Sequence, residues 1–112
     1  MTISTAAVRT DRPGRYAKQL VSHLSRRAEG EWSDETGTGE IRFTSGTATL
    51  AAGEGVLDLR IDGDDLDRWE DVVGRHLVRF GTRDELVVSW QRADGTQGTE
   101  QRNDGQDATD AH

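Results

Sequence analysis

Cysteine is absent from this chain of 112 residues, which removes disulfides, thiolate nucleophiles and cysteine-bound zinc from the chemistry open to it. Aromatics are scarce, with three Trp, one Tyr and two Phe, so packing is expected to claim most of them. No apolar run approaches the roughly 18 residues that a membrane-spanning helix needs, and the N-terminus lacks a signal-like apolar core. A cytoplasmic protein with no membrane contact is therefore expected. Basic clusters are missing too. At a net charge of −7, with no basic run in the sequence, a concentrated Lys/Arg surface of the kind a phosphate backbone selects is not expected, and neither is nucleic-acid binding.

What is present divides in two. From Arg92 to His112 there is no aromatic and no aliphatic residue larger than alanine. Such a segment cannot bury enough apolar area to offset its ordering entropy, which predicts a disordered polar tail over residues 92–112. Residues 1–91 are expected to form a single α+β domain with one modest core.

Within that domain, Thr2–Thr10 reads as a first strand. Pro13 opens a helix expected to run to Ala28, with Asp11 as the acceptor at its start and Gly30 beyond its end. Pro13, Ala17, Leu20, Leu24 and Ala28 share one face at about 100° per residue. Glu31–Asp62 reads as an antiparallel meander, most clearly where Leu57, Leu59 and Ile61 alternate with Asp58, Arg60 and Asp62. A second helix is predicted over Asp65–Phe80, with Leu66, Trp69, Val73, Leu77 and Phe80 on its apolar face and Gly81 ending it. Glu85–Gln91 is the last predicted strand. The order strand-helix-meander-helix-strand predicts a two-layer sandwich, a mostly antiparallel sheet with both amphipathic helices on one face.

Each helix carries one histidine at the edge of its apolar face, His23 on the first and His76 on the second. The plain reading gives each a local hydrogen bond at a helix border. The functional reading has the two flanks facing each other across a groove that binds a small ligand. Tyr16, Gln19 and His23 form a polar strip at helical spacing beside Lys18. Trp32, on a short strand between Glu31 and Ser33, is the aromatic best placed to wall a pocket, whereas Trp69 and Trp90 are expected in the core. Tyr16, Lys18, Gln19, His23, Trp32 and His76 are thus the ligand-binding candidates. No metal site or cofactor is expected, since two imidazoles without H-x-x-x-H or H-x-x-E spacing lack further protein ligands. Glu70 and His76 lie about 120° apart on the helix, which argues against an acid–base couple. The Asp62, Asp64, Asp65 and Asp67 cluster lacks calcium-loop spacing and reads as helix capping. No nucleophile, base and acid combine into a catalytic set.

Three phrases carry a family resemblance: Asp11-Arg12-Pro13-Gly14-Arg15-Tyr16-Ala17-Lys18-Gln19-Leu20-Val21-Ser22-His23, then Gly30-Glu31-Trp32, then Glu70-Asp71-Val72-Val73-Gly74-Arg75-His76-Leu77-Val78-Arg79-Phe80. Over about residues 2–91 the chain resembles the bacterial family called domain of unknown function 2218. The resemblance implies a compact α+β fold. It also implies an association with siderophore-interacting flavoproteins, beside which or fused to which such domains occur, and so a role in iron acquisition. The expectation is a non-enzymatic binding or accessory module, a monomer or weak homodimer, taking a small ligand or such a flavoprotein as partner. The alternative is a protein-interaction or homodimerisation module with no small-molecule ligand, using the sheet face that the helices leave open.

Overall fold

The computed structural model describes residues 2–26, 28–80 and 86–102. The elements run β1 (Thr2–Arg9), α1 (Pro13–Leu24), β2 (Glu29–Ser33), β3 (Thr38–Phe43), β4 (Gly46–Gly53), β5 (Val56–Gly63), α2 (Leu66–Phe80), β6 (Val87–Arg92) and β7 (Gln97–Arg102). All seven strands join one antiparallel sheet in the order β2-β3-β4-β5-β1-β6-β7, and both helices pack on the same face. The α+β two-layer architecture is the one its periodicities dictate.

The alternation in β5 decides the register of the sheet centre. Leu57, Leu59 and Ile61 are buried under the helices while Asp58 and Arg60 face water. On the two neighbouring strands, Val8 and Ala6 of β1 and Leu50 and Ala48 of β4 stand on that same inner face, opposite or next to them in register. A slip of one residue would turn the whole set outward. Against it α1 buries Tyr16, Ala17, Leu20, Val21 and Leu24, and α2 buries Leu66, Trp69, Val73, Leu77 and Val78. Trp69 stacks on Phe43 with ring centroids 4.1 Å apart and donates its indole N–H to Ser45 Oγ at 2.8 Å.

Three expectations are corrected by the structure. α1 ends at Leu24 rather than Ala28, because the chain must reverse to pair Glu29 and Gly30 of β2 with Arg42 and Ile41 of β3. Its start uses no side-chain cap: Asp11 makes none, and Thr10 Oγ1 accepts the Arg12 N–H at 3.1 Å instead. The largest correction is at the other end of the chain. Residues 92–102 are not a structureless tail, because Arg92 completes β6 and Gln97–Arg102 forms the edge strand β7 beside it. The expectation for residues 103–112 lies outside the described residues, as does the helix stop at Gly81.

The strand β7 is also what fixes a glycine in α2. A Cβ on Gly74 would fall 2.0 Å from Gln101 Oε1, so the helix can approach β7 only through a residue without a side chain. At the opposite sheet edge the Trp32 ring lies across Gly39, its cross-strand partner, where a Cβ would sit 2.7 Å from Cε3.

Candidate functional site

Two polar constellations occupy the helical layer, and they differ in what surrounds them. The first is centred on Glu70. Its position in α2 points it at the sheet, where its exposure is 0 %. Its carboxylate accepts five hydrogen bonds: from Ser4 Oγ at 2.6 Å, from Arg92 Nε and Nη2 at 3.0 Å each, from Thr99 N at 3.1 Å and from Thr99 Oγ1 at 2.9 Å. Arg92 also pairs with Asp67. Gln101 extends the set, accepting from Trp90 Nε1 at 2.7 Å and donating to Thr99 Oγ1 at 2.8 Å. Burial alone would push the Glu70 carboxyl up. The donors from Arg92, Ser4 and Thr99 outweigh it and hold the carboxyl below the ordinary carboxylate range. Hydrogen bonds to Glu70 and Asp67 raise Arg92 further above its already high value. Every lone pair of Glu70 that chemistry would need is engaged, so this constellation holds β1, β6, β7 and α2 together.

The second lies where the last turn of α1 meets the last turn of α2. The rings of His23 and His76 approach to 4.9 Å between centroids, tilted by 46°, and Phe80 meets His23 edge-on at 5.6 Å. His76 Nδ1 lies 2.6 Å from the Val72 carbonyl oxygen. A carbonyl only accepts, so Nδ1 carries the proton of this hydrogen bond, and in the neutral ring Nε2 is the nitrogen with a lone pair. Beside the pair a shallow groove of about 420 Å³ is lined by Arg15, Lys18, Gln19, Ser22, His23, Arg26 and Phe80. Six of these residues are the solvent-facing stripe of α1 and the turn after it, spaced by threes and fours as a helical face requires. None of the described lining residues is a carboxylate.

The sequence candidates fall in different places. Lys18, Gln19 and His23 share this groove, and His76 adjoins it through the ring contact. Tyr16, expected on the same flank, is instead in the core at 7 % exposure, because that part of α1 rests on the sheet. Trp32 is not between the helices. It sits on edge strand β2, which α1 covers, whereas α2 packs on β5, β1, β6 and β7. Its indole N–H donates to Asp34 Oδ1 at 2.7 Å, and Lys18 Nζ stands 3.7 Å from Asp34 Oδ2, so Lys18 and Trp32 are neighbours only through Asp34. Arg15, Ser22, Arg26 and Phe80 were not among the candidates. Continuing the strip from Lys18 and Gln19 one turn back and two turns on finds the first three; Phe80 needs the fold.

One sheet, two helices on one face and a groove on the outer flank of the first helix define a small α+β domain with a solvent-facing basic cleft. The chain belongs to a bacterial family whose model is described as "Uncharacterized protein conserved in bacteria (DUF2218)" and matches residues 5–91. β7 therefore lies beyond the matched segment. The chain is similar to the solved NMR structure of PA4090 from Pseudomonas aeruginosa, with 29 % identity and a TM-score of 0.66 over 81 % of this chain and 96 % of that one. No curated protein matches it. No helix among the described residues is long and apolar enough to cross a membrane.

Proposed function

We propose that this chain is a small non-enzymatic binding module of the cytoplasm that holds an anionic small molecule in the groove along α1, in the service of siderophore or iron use. The observation that carries this reading is the charge of the groove. Arg15, Lys18 and Arg26 line it without a carboxylate among the described lining residues, in a chain whose net charge is −7. Cations gathered against an opposite overall charge concentrate local potential and draw anions from solution. Gln19 and Ser22 add hydrogen-bonding groups, and Phe80 offers an aromatic edge, which is the polar-and-apolar mixture that small ligands use. Ferric siderophores with carboxylate or catecholate groups have this chemistry, and a siderophore-interacting flavoprotein is the partner the family resemblance suggests.

The test is titration of the protein with a panel of ferric catecholate and carboxylate siderophores, followed by amide NMR. Shifts should map to α1, and the Arg15→Glu/Lys18→Glu/Arg26→Glu variant should bind about tenfold more weakly or worse while keeping its spectrum. A panel that leaves the groove resonances unmoved removes this reading.

A second reading rests on a separate feature. The sheet face away from the helices has a depression of about 520 Å³ where Thr5, Ala7, Thr49, Ala51 and Ser89 surround Asp58 and Arg60. Small side chains there allow close approach of another surface, as a homodimer or protein-interaction module requires. Sedimentation equilibrium showing a strict monomer at high micromolar concentration would eliminate the homodimer form.

A further inference from the structure

We propose that His23 and His76 form a two-imidazole site for a borderline divalent transition-metal ion such as zinc. The argument begins with separation. A Zn–N bond of about 2.0–2.1 Å sets each ring centroid roughly 3.2 Å from the ion, so two imidazoles on one tetrahedral ion have centroids about 5 Å apart. The rings here are 4.9 Å apart. The tautomer comes next. Metal-binding histidines commonly donate the second ring N–H to a carbonyl or carboxylate, which fixes the ring and leaves the other nitrogen to ligate. The His76 Nδ1 contact with Val72 O does this and leaves Nε2 as the donor atom. His23 has two ring nitrogens, so it can keep one protein partner and still ligate.

Position adds to both. His23 is the penultimate residue of α1, and Phe80, which packs on it, is the last of α2. Two helix C-termini therefore converge here, each carrying a partial negative charge that favours a cation and works against the repulsion from Arg15, Lys18 and Arg26 of the adjoining groove. Among the described residues no third His, Asp or Glu completes a cluster, so the site as proposed has two protein ligands. Nothing in this proposal depends on an anion in the groove.

The experiment uses the full chain with His112→Ala, so that the histidines at issue are the only ones. Zinc chloride is titrated while the ring nitrogens are followed by histidine-resolved NMR. The expected result is a 1:1 complex in which both rings respond together, His76 binding through Nε2 and keeping its Nδ1 proton. His23→Ala or His76→Ala should each weaken binding by about tenfold or more, because a chelate loses its intramolecular second contact. Rings unmoved by excess zinc, a response from one ring alone, or unchanged affinity in either variant overturns the proposal. The siderophore titration is a separate measurement, so either idea can fail without the other.

Discussion

Glu70 and His76 lie on the same helix, fewer than two turns apart, and the fold treats them in opposite ways. Glu70 is buried with five donors around its carboxylate. His76 is half-buried, with one backbone partner and a second imidazole beside it. A polar group with all its partners inside the protein holds the structure together and has nothing left for a ligand. One that keeps a lone pair at the surface adds little to stability and can meet something from solution. Substitutions at the two ends of α2 should separate these roles.

The largest effect is expected at Glu70. Glu70→Ala leaves the Arg92 guanidinium without its main partner and should cost about 3–5 kcal/mol in urea denaturation, with zinc binding retained wherever the chain still folds. Acid sharpens the same point. The carboxyl of Glu70 is held below its ordinary value of 4.5, so its contribution is fully present above that value and is lost as pH falls through the lower folded-state value. The stability gap between wild type and Glu70→Gln should therefore shrink below about pH 4 and be steady above pH 5. A gap independent of pH would show that the carboxylate's charge is not what Arg92 requires.

A middle-sized effect is expected one turn further along α2. Gly74→Ala drives a methyl into Gln101, whose amide is tied to Trp90 and Thr99. Displacing it should cost about 1–3 kcal/mol and expose the β7 edge to faster amide exchange than β1. Unchanged exchange in β7 would mean that Gln101 swings away freely.

The same contrast explains what could be read in the chain. β5 announces itself because Leu57, Leu59 and Ile61 alternate with charges, and α2 because its apolar residues recur at helical spacing. The histidine pair was legible in part, since a helical wheel puts each ring at the edge of its apolar face; that the two flanks meet is a product of the fold. β7 carries no such signal. Gln97–Arg102 has no large apolar side chain, and it is ordered by backbone pairing to β6 and by the polar contacts of Thr99 and Gln101. Arg92 looked like the start of a polar tail because its partner, Glu70, stands 22 positions away. Tyr16 and Trp32 show the other limit. Periodicity assigns an azimuth on a helix or a face on a strand, whereas whether that azimuth meets sheet or solvent depends on how the element is laid down.

The smallest stability effect, and the most discriminating one, is expected at the histidines. His23 is exposed, and its ring contacts with His76 and Phe80 contribute about 1 kcal/mol, so His23→Ala should cost less than Glu70→Ala in the absence of metal. His76→Ala also removes the hydrogen bond to Val72 O, a further contribution of about 1 kcal/mol. Because the rings are in contact, the double variant should lose less than the sum of the two, with a coupling of about 0.5 kcal/mol or less. Added zinc should enlarge that coupling, since the ion binds the folded pair and neither single variant holds it comparably. A coupling that ignores zinc would place the histidines with Glu70, as side chains whose partners are all within the protein.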